Sequence, residues 1–251
     1  MKIEKASFTP QPVPPSGGTG GITLHGKPWS FTVFDVETTG LYPYSGDRIC
    51  EIGAVRVSAG RKTVKKFHTL VDPERPISPA ASSVNGITDS MVKGKPTVDK
   101  VLPGFMSFIQ DSVLVAYNAG FDLGFLECSL GEQKEALNEY YIIDALRLAR
   151  RLFPGIGRYN LGSVAQALGI SAEGEHRALA DATITWKVFE IELEALKSEG
   201  IYAVEEIGGV SARARPSIAA VKDYKLALIE SAIREQKKLD IVYRSSWNDK
   251  V

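Results

Sequence analysis

The sequence predicts an α/β domain in which one mixed β-sheet of five strands is flanked by helices. Two observations lead to this fold class. Three strand-like runs follow one another between residues 29 and 72 with only short turn-rich segments between them, and after Pro96 helix-like and strand-like runs alternate. Successive strands form a meander, and further strands that alternate with helices extend the sheet, so the two patterns together predict a mixed sheet covered by helices.

The first three predicted strands span residues 29–38 (WSFTVFDVET), 48–60 (RICEIGAVRVSAG) and 63–72 (TVKKFHTLVD). These runs are rich in the β-branched and aromatic residues that strands favour. The segments between them, YPYSGD and AGRK, contain residues that favour turns. Three strands with such tight connections predict an antiparallel meander.

The second half of the domain alternates between helices and short buried strands. Apolar residues at helical spacing and short apolar runs predict, in chain order, a helix at 98–109, strands at 112–118 (SVLVAYN) and 140–144 (YYIID) on either side of a helix at 122–130, and helices at 145–153, 161–168 and 178–197. Pro154 ends the first of the last three helices, while Asn160 and Gly169 suit the N-cap and the C′ position of the second. The predicted domain spans residues 29–198.

The two ends of the chain differ in character from this domain. Residues 1–28 are predicted to be a flexible leader, because residues 7–21 are dense in Pro, Gly and Ser. Residues 199–217 have the composition of a linker. Residues 218–251 predict one charged amphipathic helix followed by a short strand.

Composition and charge exclude several classes of protein. The chain has 44% hydrophobic and 24% charged residues, which is typical of a globular protein rather than a disordered or fibrous one. Thirty basic and thirty acidic residues leave no net charge, so any contact with nucleic acid is expected to be local. Cys50 and Cys128 form no disulfide framework, and no stretch predicts a signal peptide or a membrane span. We expect a cytoplasmic protein with no membrane contact.

Two acidic residues interrupt the first predicted strand. Asp35 and Glu37 are two residues apart, so both side chains project from the same face of the strand. Neighbouring carboxylates repel each other unless a cation lies between them, and a divalent metal satisfies this requirement. An isolated pair of this kind has simpler explanations, such as an ion pair with Arg or a capped turn.

Three further residues have ordinary explanations when each is taken alone. Asp122 starts a predicted helix, where Asp is a common cap. Asp181 lies in the first turns of the last helix, where an acid interacts favourably with the helix dipole. His176 precedes that helix and suits a cap or a surface position.

Taken together, these residues resemble a known set of motifs. FDVETTG (34–40), NAGFD (118–122) and HRALAD (176–181) have the order and spacing of the three motifs of the DEDD exonuclease superfamily, in its branch with histidine in the third motif. The segments between the motifs, among them RICEIGAVRV, LVAYNAGFDLGFLE and YNLGSVAQALGI, resemble the family of epsilon proofreading subunits of bacterial replicative DNA polymerases. The resemblance covers about residues 29–196.

The resemblance implies a ribonuclease H-like fold and a two-metal site. Asp35, Glu37, Asp122 and Asp181 would hold two Mg²⁺ or Mn²⁺ ions, and an all-oxygen ligand set without Cys argues against zinc. His176 would act as the general base. The products would be nucleoside 5′-monophosphates released from a 3′ end.

The family also suggests where the substrate binds. Residues that follow the first motif border the terminal nucleotide in relatives, which here implies a nucleotide contact for Thr38, Thr39, Gly40 and Leu41; strand propensity and a turn explain the two threonines equally well. Asn118 and Asn85 are the other expected contacts. Many relatives have His where Tyr117 stands, and the proofreading subunit has His where Asn85 stands, so this sequence departs from the family pattern at both positions.

The sequence thus predicts a metal-dependent 3′–5′ exonuclease of single-stranded DNA or frayed 3′ ends, acting in proofreading or repair, with a polymerase or another replication or repair protein as a possible partner. A 3′–5′ exoribonuclease and a non-catalytic nucleic-acid-binding module are the alternatives. The tail ALIESAIREQKKLDIVYRS resembles the opening helix and strand of WYL domains, although an amphipathic docking helix explains it as well.

Overall fold

A computed structural model of the chain describes residues 23–24, 27–58, 64–171, 176–202, 204 and 207. The first 22 residues of the predicted leader, most of the predicted linker and the whole of the 218–251 extension lie outside the described residues. The predictions of flexibility, of a C-terminal helix and strand, and of a WYL-like start therefore stay predictions.

The central sheet has five strands and is mixed, as predicted. Two-residue strands β1 (Thr23–Leu24) and β2 (Lys27–Pro28) first pair with each other in a separate ribbon, inside the segment predicted as leader. The sheet itself contains β3 (Ser30–Thr38), β4 (Ile49–Val57), β5 (Val64–Leu70), β6 (Ser112–Ala116) and β7 (Ile142–Asp144), in the order β5-β4-β3-β6-β7. The strands β3, β4 and β5 form the antiparallel meander, while β6 and β7 add in parallel to β3.

Seven α-helices surround this sheet in the described part of the chain: α1 (Pro79–Asn85), α2 (Asp89–Val92), α3 (Val98–Ile109), α4 (Ala119–Leu130), α5 (Ala145–Leu152), α6 (Leu161–Ala167) and α7 (Ala178–Ser198). Two 3₁₀ segments lie at Pro43–Ser45 and Gly131–Glu139. The five longer predicted helices are present, although α4 begins three residues earlier than predicted.

Helices α1 and α2 were not predicted, and α1 shows why. It begins with the cap Ser78, whose side chain accepts a hydrogen bond from the amide of Ala81, and Pro79 occupies the first turn. These are ordinary start signals. Only Asn85 of this helix is buried, so the segment lacks the apolar periodicity on which the helix predictions rested.

Strand β3 is apolar on both faces because helices cover both sides of the sheet. Phe31 and Val33 pack in one cluster with Trp186 and Phe189 of α7. On the opposite face, Phe34 packs in a second cluster with residues of α3 and α4. Because side chains alternate along a strand, Asp35 and Glu37 continue the row of Phe31 and Val33 on the α7 side.

The first core cluster extends beyond the predicted end of the domain. Val204 and Ile207 are buried in it, although residues 199–217 were predicted to be linker. No apolar periodicity marks these two residues, because they follow the last helix singly.

Among the described helices, none is long and apolar enough to cross a membrane.

Candidate active site

Strand β3 carries the first two acids to the point where its pairing with β6 ends. The parallel pairs of β3 with β6 run from Ser30 to Val33, and beyond that point the amide of Val36 donates instead to the carboxylate of Asp122 at 3.0 Å. Asp122 lies in the first turn of α4, which follows β6 directly. The end of the parallel pairing thus opens the space in which an acid from α4 meets the acids of β3.

Helix α7 supplies the third acid of a compact group. The carboxylates of Asp35, Glu37 and Asp181 each offer an oxygen, and these oxygens lie within 4.8 Å of one another. Asp122 is almost fully buried and lies outside this group of three, but its charge contributes to the raised pKa of Asp35. The structure therefore brings together three of the four predicted ligands and places the fourth beside Asp35.

The electrostatics of these acids call for a cation. Burial is the main cause that raises the pKa of Asp35 well above its usual value, and the charges of Asp122 and Glu37 raise it further. Burial and the charge of Asp181 raise the pKa of Glu37 to about 7. Burial also raises the pKa of Asp122. Buried and partly buried carboxylates that repel each other fit a divalent metal ion, and oxygen ligands suit hard cations.

His176 stands directly in front of α7 in a left-handed backbone conformation, with φ of +67°. Its amide donates to both carboxylate oxygens of Asp181, at 3.2 and 3.3 Å. The residue is exposed, and its amide contact places its backbone beside Asp181. Its role as general base stays a prediction.

Comparison with known proteins agrees with this geometry. The model of the exonuclease family (RNase T type) matches residues 32–189, which is more than half of the chain and spans all four acids. The chain belongs to this exonuclease family. The assignment to the branch with histidine in the third motif stays a prediction.

Two named relatives and one solved structure show which exonucleases this domain is similar to. It is similar to the DNA polymerase III epsilon subunit of Treponema pallidum, with 40% identity over 162 residues that cover 64% of this chain and 74% of that protein. It is 41% identical over 182 residues to the PolC-type DNA polymerase III of Clostridium perfringens, covering 71% of this chain but 12% of the polymerase. The structure of exonuclease X with 5′ overhanging duplex DNA is 30% identical, with a TM-score of 0.55, and covers 72% of this chain and 98% of that one.

In this exonuclease domain, the turn after β3 is fixed largely by its own side chains. The buried hydroxyl of Thr39 donates to Asp47 at 3.2 Å and accepts from the amide of Arg48 at 3.1 Å. Thr38 is buried as well, and its hydroxyl donates to the carbonyl of Gly40. A Cβ at Gly40 would lie 2.2 Å from the carboxylate of Asp47, so a side chain there would displace that carboxylate from its bonds with Thr39 and the amide of Tyr42. Leu41, the next residue, is 63% exposed.

The two predicted asparagine contacts differ in accessibility. Asn85 is buried, and its side chain donates to the carbonyl of Thr38 at 3.4 Å and accepts from the amide of Ile87 at 2.9 Å. Asn118 is exposed, has a φ of +64° and donates its amide to Asp144 at 3.1 Å. Contacts of both with a nucleotide stay predictions, and Asn118 is the one open to solvent.

Sequence reasoning missed a buried acid next to the site. Glu51 lies on β4, opposite Glu37, and is fully buried. Burial alone would raise its pKa, but hydrogen bonds from Arg177, His68 and the amide of Ala178 hold that pKa below its usual value. An acid within the apolar run RICEIGAVRV is the same kind of signal that drew attention to Asp35, and it could have been found in the same way.

Asp144 was also missed, and it links the second motif to the neighbouring helix. It is the N-cap of α5, where its carboxylate accepts from the amides of Leu146 and Arg147. The same oxygen accepts from the amide of Asn118. Asp144 therefore holds the turn that precedes α4 and Asp122.

Proposed function

We propose that the chain is a metal-dependent 3′–5′ exonuclease that releases nucleoside 5′-monophosphates from single-stranded DNA or frayed 3′ ends. One observation carries this proposal: the carboxylates of Asp35, Glu37 and Asp181 converge within 4.8 Å, beside Asp122, in a domain of the exonuclease family. A preference for DNA is supported by relatives named as DNA polymerase III subunits and by the DNA complex of exonuclease X.

The four acids would hold two divalent ions, which we assign as Mg²⁺ or Mn²⁺ because every side chain in the group offers an oxygen. When bound, such ions supply positive charge that stabilises the charge developing on a phosphodiester during hydrolysis. Asp122 is held by the amide of Val36 and Asp181 by the start of α7, so both acids are oriented before any ion binds.

His176 is assigned as the general base that takes the proton from the attacking water. The residue is exposed, and its amide contact with Asp181 keeps its backbone beside the third acid. Histidine suits the role because it titrates near neutral pH.

The terminal nucleotide is proposed to lie over the turn after β3. Leu41 is exposed there and Asn118 is exposed at the start of α4, so these two side chains are available to a base or a sugar. Thr38, Thr39 and Asn85 are buried and hold the shape of the turn, so we expect them to act mainly through its backbone. A polymerase or another replication or repair protein is the proposed source of the 3′ end.

The test is digestion of 5′-labelled single-stranded DNA and RNA of the same sequence in Mg²⁺ or Mn²⁺, with and without EDTA. We expect a ladder that shortens from the 3′ end on DNA and disappears in EDTA. The matched variant is His176→Asn, because Asn tolerates the left-handed backbone of this position and has no imidazole. It should lower kcat by about 10²- to 10⁴-fold, while calorimetry still detects Mn²⁺ binding.

Faster digestion of the RNA would favour the exoribonuclease alternative. The absence of metal-dependent shortening of either polymer, with metal binding intact, would favour a non-catalytic binding module. Wild-type turnover in His176→Asn would show that another group is the base.

A further inference from the structure

The buried acid Glu51 binds the start of α7 and does not belong to the group of three acids. It accepts from Arg177 through Nε at 3.1 Å and Nη2 at 2.6 Å. It also accepts from the amide of Ala178 at 3.0 Å and pairs with Nε2 of His68 at 2.7 Å. A fully buried carboxylate with four hydrogen bonds from three residues is compensated by the protein itself and needs no metal ion.

The same face of β4 brings α7 unusually close to the sheet. Gly53 follows Glu51 by two residues, so both lie on one face, and they pair with Asp35 and Glu37 of β3 respectively. A Cβ at Gly53 would lie 2.1 Å from the amide nitrogen of Leu179. The backbone of the first turn of α7 therefore rests directly on β4 at Gly53, next to the anchoring carboxylate of Glu51.

Anchoring this turn fixes the third acid of the site. Asp181 lies one helical turn after Arg177, and its amide donates to the Arg177 carbonyl at 2.9 Å. The carboxylate of Asp181 in turn accepts from the amide of His176. Any rotation or lift of the first turn would thus move Asp181 and His176 together, away from Asp35 and Glu37.

We infer that Glu51 is a positioning residue of the nuclease reaction, which holds Arg177 and Ala178 so that Asp181 and His176 face the acids of β3. This inference rests on the proposed function, because it assigns the device that assembles that site. Glu51 lies outside the group of acids that would hold the ions, and its oxygens are taken by Arg177, Ala178 and His68. It acts through the first turn of α7.

The experiment compares Glu51→Gln with Glu192→Gln in the full chain. Gln keeps the size of Glu51 but presents an NH₂ group to partners that are themselves donors. Glu192 is a matched control, because it is an equally buried acid on α7 that lies far along the helix from Asp181, and neither of its oxygens has a hydrogen-bond partner among the described residues.

The first readout is amide exchange by NMR in EDTA, which is independent of catalysis. An amide in the first turn of a helix has no acceptor within that helix, so the protection of Ala178 reports its bond to Glu51. We expect Glu51→Gln to speed exchange at Ala178 about tenfold or more, while Glu192→Gln leaves it unchanged.

The second readout is kinetic. We expect Glu51→Gln to lower kcat about 10- to 100-fold with little change in KM, since Glu51 is fully buried. Mn²⁺ affinity measured by calorimetry should fall by a similar factor. Arg177→Gln, which keeps Glu51 but removes its cation, should shift all three quantities in the same direction and provides the test should Glu51→Gln not fold.

Wild-type exchange of the Ala178 amide in both Glu51→Gln and Arg177→Gln would overturn the inference, even if activity fell. The first turn of α7 would then be held without Glu51. An equal loss of activity in Glu192→Gln would overturn it as well, since any buried acid on this scaffold would then have the same effect. If the wild-type chain shows no nuclease activity, the proposed function fails, but exchange and metal affinity still report whether Glu51 holds the site.

Discussion

At the scale of single residues, the acids of the site reduce the stability of the folded protein when they are ionised, because their negative charges lie close together. Asp35 and Asp122 are acids whose pKa burial and neighbouring charges raise. A folded-state pKa above the unfolded value means that the acid favours folding only while it is protonated. Three acids gathered at one point with a fourth beside them are therefore better explained by ion binding than by a role in the stability of the fold.

This leads to a prediction for Asp35→Asn in EDTA. Stability linked to Asp35 is fully present below the unfolded pKa of about 4 and is lost as the pH rises through the raised folded pKa, whereas Asn does not titrate. The variant should match the wild type near pH 4 and melt at a temperature higher by about 2 °C or more at pH 8, a shift that corresponds to roughly 1 kcal/mol. Thermal melts across this pH range measure the difference.

The control is Asp111→Asn, which removes an exposed acid instead. The melting-temperature difference between this variant and the wild type should not increase between pH 4 and pH 8. Adding Mn²⁺ should raise the melting temperature of the wild type more than that of Asp35→Asn, because an ion that binds the folded state stabilises it. A melting-temperature difference that is constant from pH 4 to pH 8 would contradict the electrostatic explanation.

At the scale of elements, the contact between β4 and α7 decides whether the site forms. The acids of β3 are fixed by the strand itself, whereas Asp181 depends on how closely a helix approaches the sheet. Gly53 permits that approach, since its absent Cβ would lie 2.3 Å from the carbonyl carbon of Ala178 and closer still to Leu179. A contact of this kind between two backbones leaves no room for adjustment by side-chain rotation.

We predict that Gly53→Ala displaces the first turn of α7. Stability should fall by about 1–3 kcal/mol, as for other overpacked sites, and kcat by about 100-fold, because a displacement near 1 Å is enough to misplace a catalytic group. Denaturant unfolding and steady-state kinetics measure the two effects.

Gly104→Ala is the matched control for this change. Gly104 lies inside α3, and the nearest atom to an added Cβ is Cε2 of Phe67 at 3.8 Å, an ordinary contact. Ala should raise stability there by about 0.5–1 kcal/mol and leave kcat unchanged. A Gly53→Ala protein with wild-type kcat would show that α7 can shift without moving Asp181.

At the scale of the whole molecule, the domain closes only after the last helix has ended. Val204 and Ile207 are buried with Phe31 and Leu196, so the segment after α7 covers one side of the core. The described fold therefore extends to residue 207, beyond the boundary at 198 that the sequence suggested.

Two shortened chains test this boundary. A chain that ends after Gly209 retains both buried residues and is the reference for the comparison. A chain that ends after Ser198 loses them and should be less stable by about 3 kcal/mol or more, since burial of each aliphatic side chain contributes about 1.5–3 kcal/mol. Equal melting temperatures for the two shortened chains would show that this segment does not contribute to the core.

The strands, the longer helices and the acids could be predicted from the sequence because each leaves a local signal. Runs of β-branched residues, apolar periodicity and acids within an apolar strand all act over a few neighbouring positions. Helix α1 shows the limit, because it buries a single residue and so carries no periodic pattern. Val204 and Ile207 show the same limit, since their burial depends on a core built by distant segments.

The sequence by itself determined the mixed sheet, the family and the identity of the four acids, because strand periodicity and motif spacing depend only on the order of residues along the chain. Only the tertiary structure decided how those acids are held. The carboxylate of Asp122 accepts a hydrogen bond from the amide of Val36 where β6 stops pairing with β3. Glu51, 126 residues from Arg177 along the chain, anchors the helix that carries Asp181. Contacts between such distant residues form only when the sheet and its helices pack, because each partner alone looks like an ordinary buried acid or surface arginine.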